Sequence, residues 1–253
     1  MRPSEIQFVN PNLPENDVYE AAVNYNAAET IASLKKYGIK CTEIINNKFL
    51  STSLASHPDI NLLNIKKGYL FLNKGISAGE GLEKFETEFT DEDVNDTYPG
   101  DVRLNCVVIG KKLICNKDTV SKKIIDFAYN NSYTIIHSKQ GYSKCSVCVV
   151  NEECIITDDE SIYKSVRNYF NDVLLVSKGS VLLNGYNYGF IGGASGKIGK
   201  NKLAFNGRID SHPDCNAIID SAAKYNIEII ELINSRLTDI GSIIPLTEIK
   251  PGI

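Results

Sequence analysis

Lys66-Lys67-Gly68-Tyr69-Leu70-Phe71-Leu72-Asn73 reads as a charged, glycine-containing turn, then a short apolar strand that stops on a polar residue. The arrangement returns as Gly110-Lys111-Lys112-Leu113-Ile114-Cys115-Asn116 and as Asn151-Glu152-Glu153-Cys154-Ile155-Ile156-Thr157. It returns once more as Gly199-Lys200-Asn201-Lys202-Leu203-Ala204-Phe205-Asn206. The closing polar residues fall at intervals of 43, 41 and 49. Self-similarity at such a period marks stacked supersecondary units, as in solenoids, propellers or closed rings.

Helical patterns follow the hairpins. Val120, Ile124 and Phe127 recur at helical spacing behind Asp118, and Ile162, Val166 and Tyr169 do so behind Asp158-Asp159. In the fourth unit Ser211 is placed to cap, with Pro213 and Asp214 in the first turn. Compact apolar strands over 133–137, 173–176 and 227–232 close these units, so each reads strand, strand, helix, strand. The first unit's helix, placed at 76–89, is the weakest because it contains Gly79 and Gly81.

The two chain ends are incomplete in complementary ways. The first offers an Ala-rich helix at 18–37 and a strand at 39–45, and the last offers a strand at 240–246 with nothing after it. Joined, with 6–9 as the missing second strand, they complete a fifth unit and leave no open edge at the seam. The expected architecture is α/β, with five pseudo-repeated ββαβ units closed into a ring over a single domain, 1–253. The alternative is an ordinary two-layer α/β or α+β fold whose periodicity is accidental.

With 253 residues and 43% apolar content the chain can bury a substantial core. The net charge of −4 gives no reason to expect nucleic acid or an anionic membrane as partner. No stretch has the roughly 18 apolar residues of a spanning helix, and residues 1–10 lack the pattern of a secretory signal. The seven cysteines are an odd count, mostly within apolar strands, as expected of reduced thiols in the cytoplasm.

Cys145-Ser-Val-Cys148 has metal-knuckle spacing, but no second such pair accompanies it, and neither metal nor cofactor is expected. Cys145 follows the polar run Lys139-Gln140-Gly141-Tyr142-Ser143-Lys144, which would bring it to the rim of a central cavity beside thiolate-favouring lysines. A half-buried structural thiol is the competing reading. The glycine-rich run at 189–199 fails the phosphate-loop pattern, since Ile191 stands where the first glycine is required and Ile198 where Ser or Thr is. Gly192 and Gly193 then serve close backbone packing or a ligand contact near the axis.

His57-Pro58-Asp59 precedes an expected strand at 60–65, placing His57 beside a carboxylate at the ring entrance, suited to acid/base work or to loop stabilisation. His212-Pro213-Asp214 opens a helix, where capping suffices, and His137 ends an internal strand. Asp101 and Arg103, after Tyr98-Pro99-Gly100, reach the start of another first strand, and Asp239 holds the equivalent place before the last one.

Five ββαβ units with polar residues at first-strand starts resemble the guanidino-group-modifying enzymes, the pentein or amidinotransferase/arginine deiminase fold. The segments 139–146, 190–196, 212–214 and 240–246 are similar to a clostridial branch of that superfamily. The resemblance covers nearly the whole chain as architecture, while its motifs are loose. It implies a Cys nucleophile for the guanidinium carbon, a His acid/base and two carboxylates clamping the guanidinium nitrogens. Carboxylates match a flat, permanently charged fork, and a thiolate can carry a covalent amidino group. His57-Pro58-Asp59 looks like the superfamily's His-x-Asp step. The superfamily's nucleophile lies in the final strand, but here that strand reads Gly241-Ser242-Ile243-Ile244-Pro245-Leu246 and has no Cys.

Two functions follow from the resemblance. One is a hydrolase or amidinotransferase acting on a small guanidine-like or amide-bearing ligand. Cys145 is its nucleophile, His57 its acid/base, and Asp59, Asp101 or Asp239 its carboxylates. Arg103, Gln140, Tyr142, Gly192 and Gly193 are its ligand-binding candidates. The other is a non-catalytic binding or assembly module of the same fold, without the C-terminal nucleophile.

Overall fold

The computed structural model describes residues 5–76 and 81–250. The chain runs β1 (Glu5–Phe8), β2 (Val18–Asn24), α1 (Ala28–Lys36) and β3 (Lys40–Ile44), then a single helical turn α2 (Pro58–Asn61), β4 (Leu62–Lys66), β5 (Tyr69–Leu72) and β6 (Glu86–Phe89). It continues through β7 (Val107–Ile109), β8 (Lys112–Cys115), α3 (Lys122–Asn130) and β9 (Thr134–His137). The third stretch is β10 (Val147–Val149), β11 (Cys154–Thr157), α4 (Glu160–Val166) and β12 (Asp172–Leu175). Last come β13 (Ser195–Gly199), β14 (Lys202–Phe205), α5 (Cys215–Lys224), β15 (Glu228–Glu231) and β16 (Ile244–Lys250).

These strands form five small sheets, ordered β4-β5-β6, β7-β8-β9, β10-β11-β12, β13-β14-β15 and β1-β16-β2-β3. In each repeat the first strand pairs antiparallel with the second, and the second pairs parallel with the third. A parallel pair needs a crossover; α1, α3, α4 and α5 supply it in four units, while the described residues of the β5–β6 crossover form turns. Each crossover helix buries apolar residues one turn apart: Ile124 and Ala128 in α3, Ile162 and Val166 in α4, Ile218 and Ala222 in α5. The core lies between these helices and the strands, and the five units form the α/β propeller expected from the repeat.

The fifth unit joins the chain ends, though not with the strands expected. Its first strand is β16 and its second is β2, while β1 lies outside β16 as an added edge. The Ala-rich stretch at 18–37 is therefore two elements, β2 and the shorter α1. Sandwiched between β16 and β3, β2 buries Val18, Ala21, Ala22 and Val23. Burial on both faces overrides the helix propensity of alanine. The helix placed at 76–89 is also corrected: residues 81–84 form turns, Gly81 has φ of +104°, and Glu86–Phe89 is β6. A left-handed residue ends a right-handed helix, and residues 77–80 of that stretch lie outside the described residues.

Of the polar residues that close second strands, the asparagines anchor the segments that lead into first strands, Asn116 and Asn206 in the next unit and Asn73 and Asn24 in their own. Asn73 Nδ2 donates to Ile60 O (2.6 Å), Asn116 Nδ2 to Lys139 O (3.0 Å) and Asn206 Nδ2 to Thr238 O (2.9 Å). These carbonyls belong to the segments that lead into first strands. The fifth such residue is Asn24, at the end of β2, which donates to Ile240 O (3.2 Å). Of the expected helix caps, Asp159 caps α4 by accepting from Ser161 N and Ile162 N. The N-cap of α3 is Ser121 rather than Asp118. Among the described residues, no helix is long and apolar enough to cross a membrane.

Candidate functional site

Each first strand is entered by a loop that reaches the axis, and the five loops are stitched into a closed circle of hydrogen bonds. Asn105 Nδ2 donates to Asp59 O (3.0 Å), and Asn105 Oδ1 accepts from Cys145 N (3.3 Å) and Lys144 N (2.7 Å). Gly193 N donates to Cys145 O (2.7 Å), and Gly193 O accepts from Ser242 N (2.8 Å). Asp59 N donates to Gly241 O (3.0 Å) and closes the circle. One residue from every unit is thereby held against its neighbours, and buried backbone groups at the axis are satisfied without sheet pairing.

This circle carries a cluster of buried ionisable side chains. His57, the residue before α2, places Nδ1 3.8 Å from Asp239 Oδ1. Asp239 also accepts from Phe190 N (3.0 Å) and Gly241 N (2.9 Å). Asp59 Oδ2 accepts from Ser242 Oγ (2.7 Å), and Lys144 Nζ donates to the same Ser242 oxygen (2.9 Å). Cys145 lies in the turn just before β10, its sulfur accepting from Asn105 Nδ2 at 3.0 Å. Placed before the strand, Cys145 is free of the period-two constraint that binds Cys148 in β10.

A cavity of about 230 Å3 opens above these groups. Its floor holds His57, Cys145 and Asp239, and its walls include Tyr142, Tyr186, Tyr188 and Phe190. Tyr142 and Phe190 stack at 5.9 Å between centroids, and Tyr188 meets Phe190 edge-on at 6.0 Å. Behind the wall, the Tyr142 hydroxyl donates to the buried carboxylate of Asp101.

Burial dominates the charge states. It pushes Asp239 up to about 6 and raises Asp59, against the nearby positive charge of Lys144. Burial lowers His57, so its imidazole is neutral at pH 7. Burial and the charges of Asp59 and Asp239 push the Cys145 thiol well above its ordinary value. His57 Nδ1, Asp59 Oδ1 and Asp101 Oδ1 are buried without a hydrogen-bond partner. Such a set has spare acceptors and excess negative character, which a cation with several N–H donors would satisfy.

The structure thus brings Cys145, His57, Asp239 and Tyr142 together in one cavity lining, with Asp59 buried behind its floor against Ser242. Asp101 stands behind Tyr142 rather than in the lining. Arg103 does not approach the cavity lining: its Nη1 donates to Thr119 O (3.0 Å). Gln140 is spent on Asp159, donating to Oδ2 at 2.8 Å. Gly192 and Gly193 pack behind the floor. A Cβ on Gly192 would come within 2.6 Å of Cys145 O, and one on Gly193 would collide with the Asp239 carboxylate.

Sequence reasoning missed Asn105, Lys144 and Ser242, and also the aromatic wall. Asn105, Cys145, Gly193 and Ser242 each stand two residues before the first strand of their unit, a shared position that a strand-anchored alignment of the repeats would have exposed.

Comparison with solved structures places this architecture. The chain is similar to C. jejuni agmatine deiminase (9% identity, 92% of each chain, TM-score 0.53). It is also similar to a mutant dimethylarginine dimethylaminohydrolase from Pseudomonas aeruginosa complexed with citrulline (7% identity, 92% of this chain and 99% of that one, TM-score 0.55). A third likeness is to SxtG, an amidinotransferase of the saxitoxin biosynthetic pathway from Microseira wollei (10% identity, 94% and 96%, TM-score 0.54). At these identities the likeness is one of fold, that of the guanidino-group-modifying, or pentein, superfamily. The chain belongs to a family of unknown function (DUF6873), whose sequence profile matches residues 22–244. No curated protein matches the chain.

Proposed function

We propose that this protein is a guanidine- or amide-processing hydrolase or amidinotransferase acting through Cys145. The observation that carries the reading is the convergence of Cys145, His57 and Asp239, from three different units, at a single aromatic-walled cavity, with the Asp59 carboxylate buried behind them. A guanidinium group entering it brings a positive charge beside three groups whose ionised forms burial disfavours. That charge favours the ionised carboxylates and the thiolate together, so the ligand itself activates the nucleophile.

In the step this supports, His57 takes the thiol proton and the sulfur attacks the guanidinium carbon. The resulting tetrahedral adduct collapses by breaking one C–N bond, and the imidazolium returns its proton to the departing amine. An amidino group is left on sulfur. Water, losing a proton to His57, releases it as a urea-type product in a hydrolase; an acceptor amine takes it in a transferase. Asp239 holds the guanidinium nitrogens from the cavity floor throughout, and Asp59 behind it adds negative charge.

A second reading, a binding module without chemistry, is favoured by Ser242, which occupies the final first-strand entry where the superfamily resemblance calls for Cys. Thiol labelling separates the two. Cys215 and Cys41 are the half-buried cysteines, so neutral iodoacetamide should label them before Cys145. The cationic reagent 2-chloroacetamidine should instead label Cys145 first and saturably, with His57→Ala slowing it. Reversible binding of the amidine that leaves Cys145 unmodified selects the binding module; no binding at all sinks both.

A further inference from the structure

The wall of the cavity says what the rest of the ligand is. Above the floor, the lining is Leu54, Leu183 and the rings of Tyr142, Tyr186, Tyr188 and Phe190, with Asn187 beside them. Among the described residues, no Lys or Arg lines the cavity. The nearby cation, Lys178, lies outside the lining, its Nζ 5.2 Å from the Tyr188 ring centroid and 5.9 Å from that of Phe190. Arg103, the other candidate partner for an anion, is turned to Thr119 O. A carboxylate on the ligand would thus lose its hydration against aromatic carbon, with Asp239 beneath it and no charge-assisted donor to receive it.

We infer that the ligand is a small guanidinium or amidinium whose substituent is apolar and carries no anionic group, so that the site discriminates against free arginine. The inference rests on the guanidine reading above and deepens it. The floor matches the planar cation with the Asp239 carboxylate, and the four rings receive an alkyl or aryl tail and attract positive charge through their faces. A volume of about 230 Å3, below the roughly 300–1,000 Å3 of common ligand pockets, restricts the tail to a few carbons or one ring.

Calorimetric titration of the full chain with n-butylguanidine, agmatine, arginine and bare guanidinium tests this. The first three ligands share the head and differ chiefly at the end of the tail. n-Butylguanidine should bind at least tenfold more tightly than arginine. Phe190→Ala and, as a second variant on the more exposed loop, Tyr188→Ala should weaken n-butylguanidine severalfold while leaving bare guanidinium unchanged. Arginine binding as tightly as n-butylguanidine would overturn the inference and leave the guanidine reading intact. Failure of all four to bind would overturn both.

Discussion

His57 Nδ1 stands 3.8 Å from Asp239 Oδ1 across the seam between the first and last units, and it has no hydrogen-bond partner. The separation exceeds a hydrogen bond, so the imidazole and the carboxylate face one another with a proton's place between them unfilled. Burial keeps the imidazole neutral and moves the carboxylate toward neutrality. The pair is therefore not locked as an ion pair.

The pH dependence of Asp239 follows from its raised folded-state pKa of about 6 against an ordinary value near 3.8. Such a group contributes stability that is fully present below pH 4 and is lost as pH rises through 6. Asp239→Asn, permanently neutral, should therefore gain in melting temperature relative to the wild type as pH increases from 4 to 7. The full span is on the order of 3 kcal/mol. His57 titrates in the opposite sense in both proteins, so the difference between them isolates Asp239. A difference that stays flat from pH 4 to 7 would contradict the assignment.

Binding of n-butylguanidine should show the complementary dependence. A cation favours ionised carboxylates, so affinity should rise as pH increases through about 6 and level off above it. Calorimetry at pH 5 and pH 7.5 checks this, with roughly tenfold weaker binding expected at pH 5. Asp239→Asn should remove most of the slope.

Asn105 holds the second, third and first units together through one side chain. Asn105→Ala leaves Asp59 O, Lys144 N and Cys145 N short of a partner. At about 1–3 kcal/mol for each buried group left unsatisfied, urea denaturation should report a loss of about 3 kcal/mol or more. A loss under about 1 kcal/mol would show that the circle of loops does not depend on this residue.

Lys144→Met removes the buried amine that donates to Ser242 Oγ and whose pKa burial holds below its ordinary value. At pH 7.5 it should destabilise by about 1–3 kcal/mol, the usual cost of leaving a buried hydrogen-bonding group unpaired. The deficit should shrink as pH falls, because a lysine whose folded-state pKa is lowered costs the wild type stability as it takes up its proton, and Met does not. Denaturation at pH 5 and pH 7.5 decides the point.

Gly193→Ala should be tolerated poorly, since its Cβ would collide with the Asp239 carboxylate, at a cost of about 1–3 kcal/mol and with loss of ligand binding. Gly199→Ala is the control: its Cβ would meet Asp17 Oδ1 at 3.0 Å, the end of an exposed side chain that can move. It should cost less than about 1 kcal/mol.

Four of the five units were legible because a turn, a short apolar strand and a terminal Asn or Thr recur locally, and each is fixed by neighbours within a few residues. The fifth was legible only as a joining of ends. Val18-Tyr-Glu-Ala-Ala-Val-Asn carries alanines that favour a helix in isolation, and its strand state comes from pairing with β16, more than 200 residues away. Asn24 was missed as the fifth terminal polar residue for the same reason.

At the site, the sequence by itself determined which residue types were available: three histidines, a cysteine after a polar run, and aspartates at strand entries. Those follow from short-range pattern and composition. Only the tertiary structure decided which of them meet. Closing the ring set Asp239 against His57 and Ser242 against Asp59 and Lys144, while Arg103 and Gln140 were turned to other partners. It also built the aromatic wall by folding the 182–190 segment over the floor. Charge states were likewise settled in three dimensions, because desolvation depends on what surrounds a group in space. The lysine beside Cys145 in the chain suggested a thiolate, yet burial, with Asp59 and Asp239 close by, leaves the sulfur protonated.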